Sequence, residues 1–214
     1  MTKVEGGKIS AILLAAGKSE RMGAFKQLLP LGGKTFVESC VDNLLASSAA
    51  EVIVVTGHNE SAVRQVLAGR RVRFAYNPNY QLGMATSIIR GFEAVSGTSA
   101  AVMIALVDQP LVATAVIDKL ISEYRASNSL ILIPRHNGKR GHPILMSTRL
   151  KHDVESMDLS EGLRAVIETH ALDISYVEVD SDSILVDFDY PEDYERIIAD
   201  GKRADGKRAD GKQE

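Results

Sequence analysis

Residues Ile9–Leu14 read ISAILL, and the chain leaves this apolar run through Ala15, Ala16 and Gly17 into a charged loop. Two similar runs follow, Glu51–Thr56 (EVIVVT) and Ala101–Val107 (AVMIALV). None alternates polar with apolar residues. Strands that are covered on both faces have this pattern, and parallel sheets are built from them. Between the runs lie helical patterns. Thr35–Ala46 carries Phe36, Val37, Cys40, Val41, Leu44 and Leu45 on one stripe, and Ser61–Leu67 and Thr86–Val95 are shorter. Val72–Tyr76 supplies a further strand. Strand, helix and strand in series predict an α/β fold: a doubly wound, mostly parallel, Rossmann-like sheet in a single domain.

The second half is less regular. The pattern predicts a helix over Ala115–Arg125, a strand over Leu130–Pro134 and a polar loop over His136–Gly141. Helices near Arg149–Met157 and Ser160–Thr169 follow, then short strands at Ile174–Val179 and Ile184–Val186. A last helix, Pro191–Ala199, has proline in its first turn, where the missing N–H costs nothing. The domain is therefore expected over 1–200. Residues 201–214, a GKRAD repeat without apolar side chains, are expected to form a disordered tail.

Composition narrows the classes. A length of 214 residues, 45% hydrophobic and 25% charged, suits one soluble domain. The net charge of −3 and the absence of tryptophan give no basis for nucleic-acid binding. No apolar run approaches the roughly 18 residues that a membrane span needs. Met1–Lys8 has no signal-peptide core, so the expected compartment is the cytoplasm. The single cysteine, Cys40, excludes an internal disulfide and reads as core.

Ligands of open α/β sheets bind beyond the carboxyl ends of the strands, so the segments after Leu14, Thr56 and Val107 matter most. The first reads LAAGKSERMGAFK over Leu14–Lys26. Gly17 and Gly23 allow close backbone approach to phosphate, and Lys18, Arg21 and Lys26 supply cations. A plain turn with solvated charges would have the same composition. A Walker A loop is excluded because Leu28 stands where its first glycine is required. A dinucleotide G-x-G-x-x-G is excluded by Ser19. The third segment is Asp108-Gln109-Pro110. A carboxylate at a buried strand tip is placed to hold Mg²⁺ on a triphosphate, or equally to cap a helix.

The first loop resembles the signature L-A-x-G-x-[ST]-x-R-M-G-x-x-K of the MobA-like nucleotidyltransferases. Leu14, Ala15, Gly17, Ser19, Arg21, Met22, Gly23 and Lys26 all match. The resemblance runs from Ile9 to about Ile198 and implies an NTP over this loop, bound by Leu14, Ala15, Ala16, Gly17, Ser19, Arg21, Gly23 and Lys26. It implies that Arg21 and Lys26 act on the phosphates and that Asp108 is catalytic and a metal ligand. VDFDYPEDY over Val186–Tyr194 resembles the family's closing D-x-D-T-P-E-D, with Tyr190 in place of threonine. Asp189 falls at the second metal ligand and Asp187 is its understudy; Glu192 and Asp193 read as acids at a helix start.

Two segments resemble those of molybdenum cofactor cytidylyltransferases. One runs from Asn77 to Ser87 and implies nucleotide contacts at Gly83 and Ser87. The other, Arg135–Pro143, carries a G-H-P and implies His142 at the acceptor; Arg164, in a weaker G-x-R match, joins it. The implied reaction joins CMP from CTP to a phosphorylated pterin-type acceptor with Mg²⁺ as cofactor, pyrophosphate leaving. A molybdoenzyme that receives the product is a further implied partner. Ala16 bears on the nucleotide, since relatives that use CTP open the loop with L-A-A-G and those that use GTP with L-A-G-G. Two alternatives stand beside this: a cytidylyl- or uridylyltransferase for a sugar or alcohol phosphate, and a non-catalytic carrier of molybdenum cofactor.

Overall fold

A computed structural model of the chain describes residues 7–198. The expected tail at 201–214 lies outside them. In chain order the elements are β1 (Lys8–Leu14), a small hairpin of β2 (Pro30–Leu31) and β3 (Lys34–Thr35), α1 (Phe36–Leu45), β4 (Glu51–Thr56), α2 (Glu60–Val66), β5 (Arg73–Tyr76), α3 (Met84–Ala94) and β6 (Ser99–Leu106). Then come α4 (Thr114–Ala126), β7 (Ile131–His136), β8 (Lys139–Arg140), β9 (Ile144–Ser147), α5 (Lys151–Glu155), α6 (Leu163–Thr169) and β10 (Ile174–Glu178). A last helix, α7, covers 191–198.

The large sheet has the order β10-β7-β9-β6-β1-β4-β5, with β8 paired to β7. β1 is central: Ile12 aligns with Ile53 of β4 on one side and with Ile104 of β6 on the other, both parallel. Ala11, Ile12 and Leu13 are wholly buried, which is why ISAILL shows no alternation. β9 alone in the main path runs antiparallel, to β6 and to β7. Ala11, Leu13, Val37, Val41, Val63 and Leu120 pack on one face of the sheet, under α1, α2 and α4. Ile12, Ile53, Ile88, Phe92, Ile104 and Val166 pack on the other, under α3, α5 and α6. The sheet is thus doubly wound. Among the described residues no helix is long and apolar enough to cross a membrane.

Three sequence expectations need correction. Ile184–Val186 is not a strand: Asp182–Leu185 is a 3-10 turn, and the Ile184 carbonyl accepts from His142 N and from Gln109 Nε2 instead of a ladder. The stretch His136–Gly141 is a hairpin, not an irregular loop. Asn137 (φ 49°) and Gly138 (φ 77°) both take positive φ, as a two-residue Asn-Gly turn requires. β9 was not expected at all. The helix foreseen over Ser160–Thr169 begins only at Leu163, after a turn in which Gly162 N donates to Asp158 O.

α1 begins with a reciprocal cap. Thr35 N donates to Glu38 Oε2 (2.7 Å), and Thr35 Oγ1 accepts from Glu38 N. Arg70 ties the helix to the turn after α2 through Glu38 (3.2 Å) and Asp42 (2.7 Å). Cys40 faces the core, where burial pushes its thiol pKa up and leaves it unreactive.

Candidate active site

The carboxyl ends of β1 and β6, the 80–84 segment and Asp189 enclose an open cleft of about 550 Å³. Of the residues singled out from sequence, Leu14, Ala16, Gly17, Ser19, Arg21, Lys26, Gly83, Ser87, Asp108 and Asp189 line it. The structure therefore gathers four segments far apart in the chain: the β1 loop, residues 80–87, the tip of β6 and Asp189.

Its floor is a charge cluster. Lys26 Nζ lies 2.8 Å from Asp189 Oδ1 and 3.3 Å from Asp108 Oδ2. Arg21 reaches the other oxygen of Asp189 at 2.9 Å and lies over the Tyr190 ring, 5.5 Å from its centroid. Lys26 is only 7% exposed, so its ammonium is held among carboxylates rather than water. Burial raises the Asp108 pKa, with Lys26 opposing. Burial works in the same direction on Asp189, but Lys26 and Arg21 outweigh it and leave the carboxyl below its ordinary value.

The chain positions these groups by backbone links. Phe188 N donates to Asp108 O (3.1 Å), which ties the segment bearing Asp189 to the tip of β6. Asp189 N and Tyr190 N both donate to Asp193 Oδ2, so the acid of the first turn of α7 fixes the approach. The β1 loop is shaped from inside. Gln27, buried, donates to Ala15 O (3.1 Å) and Gly17 O (2.8 Å), and Ser19 Oγ accepts from Lys26 N (3.1 Å). The segment after Thr56 contributes backbone: His58 N donates to Ala16 O (3.0 Å), and Gly57 lies so close that a Cβ there would stand 2.8 Å from the same oxygen.

Other expected residues fall elsewhere. Ala15 is fully buried and bonded to β4 through its N–H. Gly23 closes a turn at φ 67° and does not line the cleft. Ser87 Oγ accepts from Asn77 Nδ2 (2.9 Å) at the cleft edge. His142 is not among the cleft residues; burial lowers its pKa and keeps it neutral, and Gly141 before it packs so tightly on the Ile184 carbonyl that no Cβ fits. Arg164 is on the outer side of α6, paired with Glu168 at 2.7 Å and 77% exposed. Asp187 accepts from Gln109 Nε2 (2.8 Å) rather than from Lys26. Gln27 and Gln109 were not foreseen. Their signal was position, each directly following a motif residue, but a glutamine alone carries no chemistry to read.

A divalent cation fits the donor set. Asp108 Oδ1 is buried with no hydrogen-bond partner among the described residues, and a second carboxylate shares the same ammonium. Mg²⁺ prefers one or two carboxylates, with phosphate oxygens and water completing its shell. Among the described residues no group of three or more metal-ligating side chains exists, so such an ion would depend on a bound phosphate for the rest.

The sequence model of the MobA-like NTP transferase domain matches residues 11–174. Nicotine blue oxidoreductase of Paenarthrobacter nicotinovorans is 29% identical over 89% of this chain and 96% of its own. Molybdenum cofactor cytidylyltransferase of Escherichia coli is 29% identical over 87% of this chain and 93% of its own. A nucleotidyl transferase structure from Methanothermobacter thermautotroptrophicus superposes with TM-score 0.79 at 27% identity, over 93% of this chain and all of that one.

Proposed function

The chain belongs to the MobA-like NTP transferase family and is a nucleotidyltransferase; we propose that it transfers CMP from CTP to a phosphorylated pterin-type acceptor. The observation that carries the reading is the joining of Lys26, Asp108 and Asp189 at the floor of a cleft lined by the β1 loop. A triphosphate brings charge to be neutralised, and these residues with Arg21 supply both signs. Asp108 and Asp189 would hold Mg²⁺, which when bound neutralises phosphate charge. Arg21 and Lys26 stabilise the leaving pyrophosphate. Leu14, Ala16 and Gly17 form the wall against which the nucleotide lies. The acceptor oxygen is already anionic, so the chain's task is alignment and charge, not proton removal. Attack on the α-phosphorus forms the new P–O bond as the bond to pyrophosphate breaks.

His142 and Arg164 remain proposed acceptor contacts. Neither lines the cleft, so an acceptor that meets them extends beyond it. The relative named as an oxidoreductase is as similar in sequence as the cytidylyltransferase, and redox chemistry is the second reading. A cluster of two cations and two carboxylates serves a triphosphate and a metal, whereas a hydride acceptor needs neither. The test is a panel of the four NTPs against phosphorylated pterin, sugar and alcohol acceptors, scored by pyrophosphate release, with a parallel assay of nicotine blue reduction. Release with CTP and the pterin alone is the expected result. Release with a sugar phosphate instead, or reduction of nicotine blue without pyrophosphate release, overturns it.

A further inference from the structure

In the structure the cations expected on phosphate are both engaged by carboxylates. Asp189 has one oxygen on Lys26 and the other on Arg21, and Asp108 shares Lys26. Two positive and two negative charges cancel within one cluster. The backbone of Lys26 is fixed, its N–H on Ser19 Oγ and its carbonyl accepting from Leu29 N, but the ammonium sits on a four-carbon stem with several rotatable bonds. The ammonium can therefore leave while the loop stays.

We propose that Lys26 is a tethered counter-cation: it competes with a divalent ion for Asp108 and Asp189, and a nucleotide triphosphate releases it. This rests on the metal-site reading above. A divalent ion arriving alone meets carboxylates that are already neutralised. A triphosphate arriving alone meets cations that are already engaged. Arriving together they exchange partners, the carboxylates passing to the ion and Lys26 and Arg21 to the phosphates. Metal and nucleotide then strengthen each other's binding by the same factor, because linkage is reciprocal. The lysine also keeps the two carboxylates from facing each other uncompensated.

The experiment titrates the full chain with Mn²⁺ alone, read by electron paramagnetic resonance. Wild type, Lys26→Met and Lys26→Gln are compared, then each is repeated with a non-hydrolysable CTP analogue. Removing the competitor should raise the affinity for Mn²⁺ alone on the order of tenfold and reduce the enhancement by nucleotide to match. A simple ligand-supporting lysine would do the opposite. Mn²⁺ affinity equal to or below wild type in both variants, with binding still lost in Asp108→Asn, overturns the competition and leaves the metal site standing. Mn²⁺ binding that is unchanged in both Asp108→Asn and Asp189→Asn overturns the metal site as well. Thermal melts supply a second readout. Mn²⁺ should raise the Tm of the Lys26 variants more than that of wild type, since without a cation their carboxylates repel. A variant unfolded without metal and restored by it supports the proposal; a Mn²⁺-induced rise no larger than wild type in both variants overturns it.

Discussion

Asp108 sits at the tip of β6 with one oxygen on Lys26 and the other buried without a described partner. Asparagine keeps the shape and removes the charge. Because Asp189 still engages Lys26, the fold should survive, while loss of a metal ligand should cut turnover on the order of 10²-fold or more. Asp189→Asn should behave alike, and Asp187→Asn less severely, since Gln109 holds that carboxylate. Circular dichroism with steady-state kinetics checks this; activity of Asp108→Asn within a few-fold of wild type defeats the assignment. Ala16 is the second informative residue. It lines the cleft, and its carbonyl is pinned by His58 N, so its methyl group cannot easily move aside. A bicyclic guanine needs room that a pyrimidine does not. Ala16→Gly should therefore raise GTP use relative to CTP by roughly 10–200-fold without reversing the preference, a steric effect of about 1–3 kcal/mol. Competition between the two nucleotides measures it, and a wild-type enzyme indifferent to the base removes the premise.

At the scale of elements, α1 shows how a local sequence signal becomes tertiary structure. The Thr35-x-x-Glu38 cap starts the helix, and Arg70 then clamps Glu38 and Asp42 from the turn after α2. Hydrogen bonds from Thr35 hold the Glu38 pKa below its ordinary value, and the bond from Arg70 does the same for Asp42. A carboxyl depressed in the folded state contributes stability above its unfolded pKa and loses it as pH falls. Arg70→Ala should accordingly lower the Tm by a few degrees at pH 7, about 1 kcal/mol for a partly exposed cluster. The difference from wild type should fade as pH falls below the ordinary carboxylate range and through the lowered pKa values of the two acids. Melting curves across that range decide it; a pH-independent difference would mean that lost packing, not charge, is responsible. The legible elements were those with a local signature: the unbroken apolar runs of β1, β4 and β6, and the apolar stripe of α1. β9 was not legible because Ile144–Ser147 is four residues long and is a strand only by virtue of β6 and β7 on either side. Ile184–Val186 failed because a short apolar run does not by itself specify a strand; here the Ile184 carbonyl is taken by His142 N and Gln109 Nε2. The hairpin at Asn137-Gly138 was present in the sequence as an Asn-Gly pair and could have been read.

Across the whole molecule, the site exists because the end of the described chain returns to its beginning. Phe188 is completely buried and meets Phe36 edge to face at 4.8 Å, and Tyr194 Oη donates to Pro30 O. These contacts close α7 over the β2–β3 hairpin and leave Asp189 beside Lys26, 163 residues earlier in sequence. The first-loop motif announced one half of this arrangement and the closing motif the other. Their convergence, and the pairing of their charges with each other, is a property of the fold that neither motif contains. Phe188 joins stability to chemistry here, since its side chain anchors the segment and its N–H bonds Asp108 O. Phe188→Ala should cost about 3–5 kcal/mol as a large-to-small core change, roughly 10 °C in Tm. It should also lower turnover well below wild type at temperatures where the variant is fully folded, because Asp189 is then free to drift from Lys26. Phe188→Leu fills most of the volume and should retain turnover within a few-fold. Kinetics below the onset of melting, run for both variants, separate the two effects. Full turnover in folded Phe188→Ala would show that Asp189 is held by its ion pairs alone, and that the aromatic contact serves only the stability of the domain.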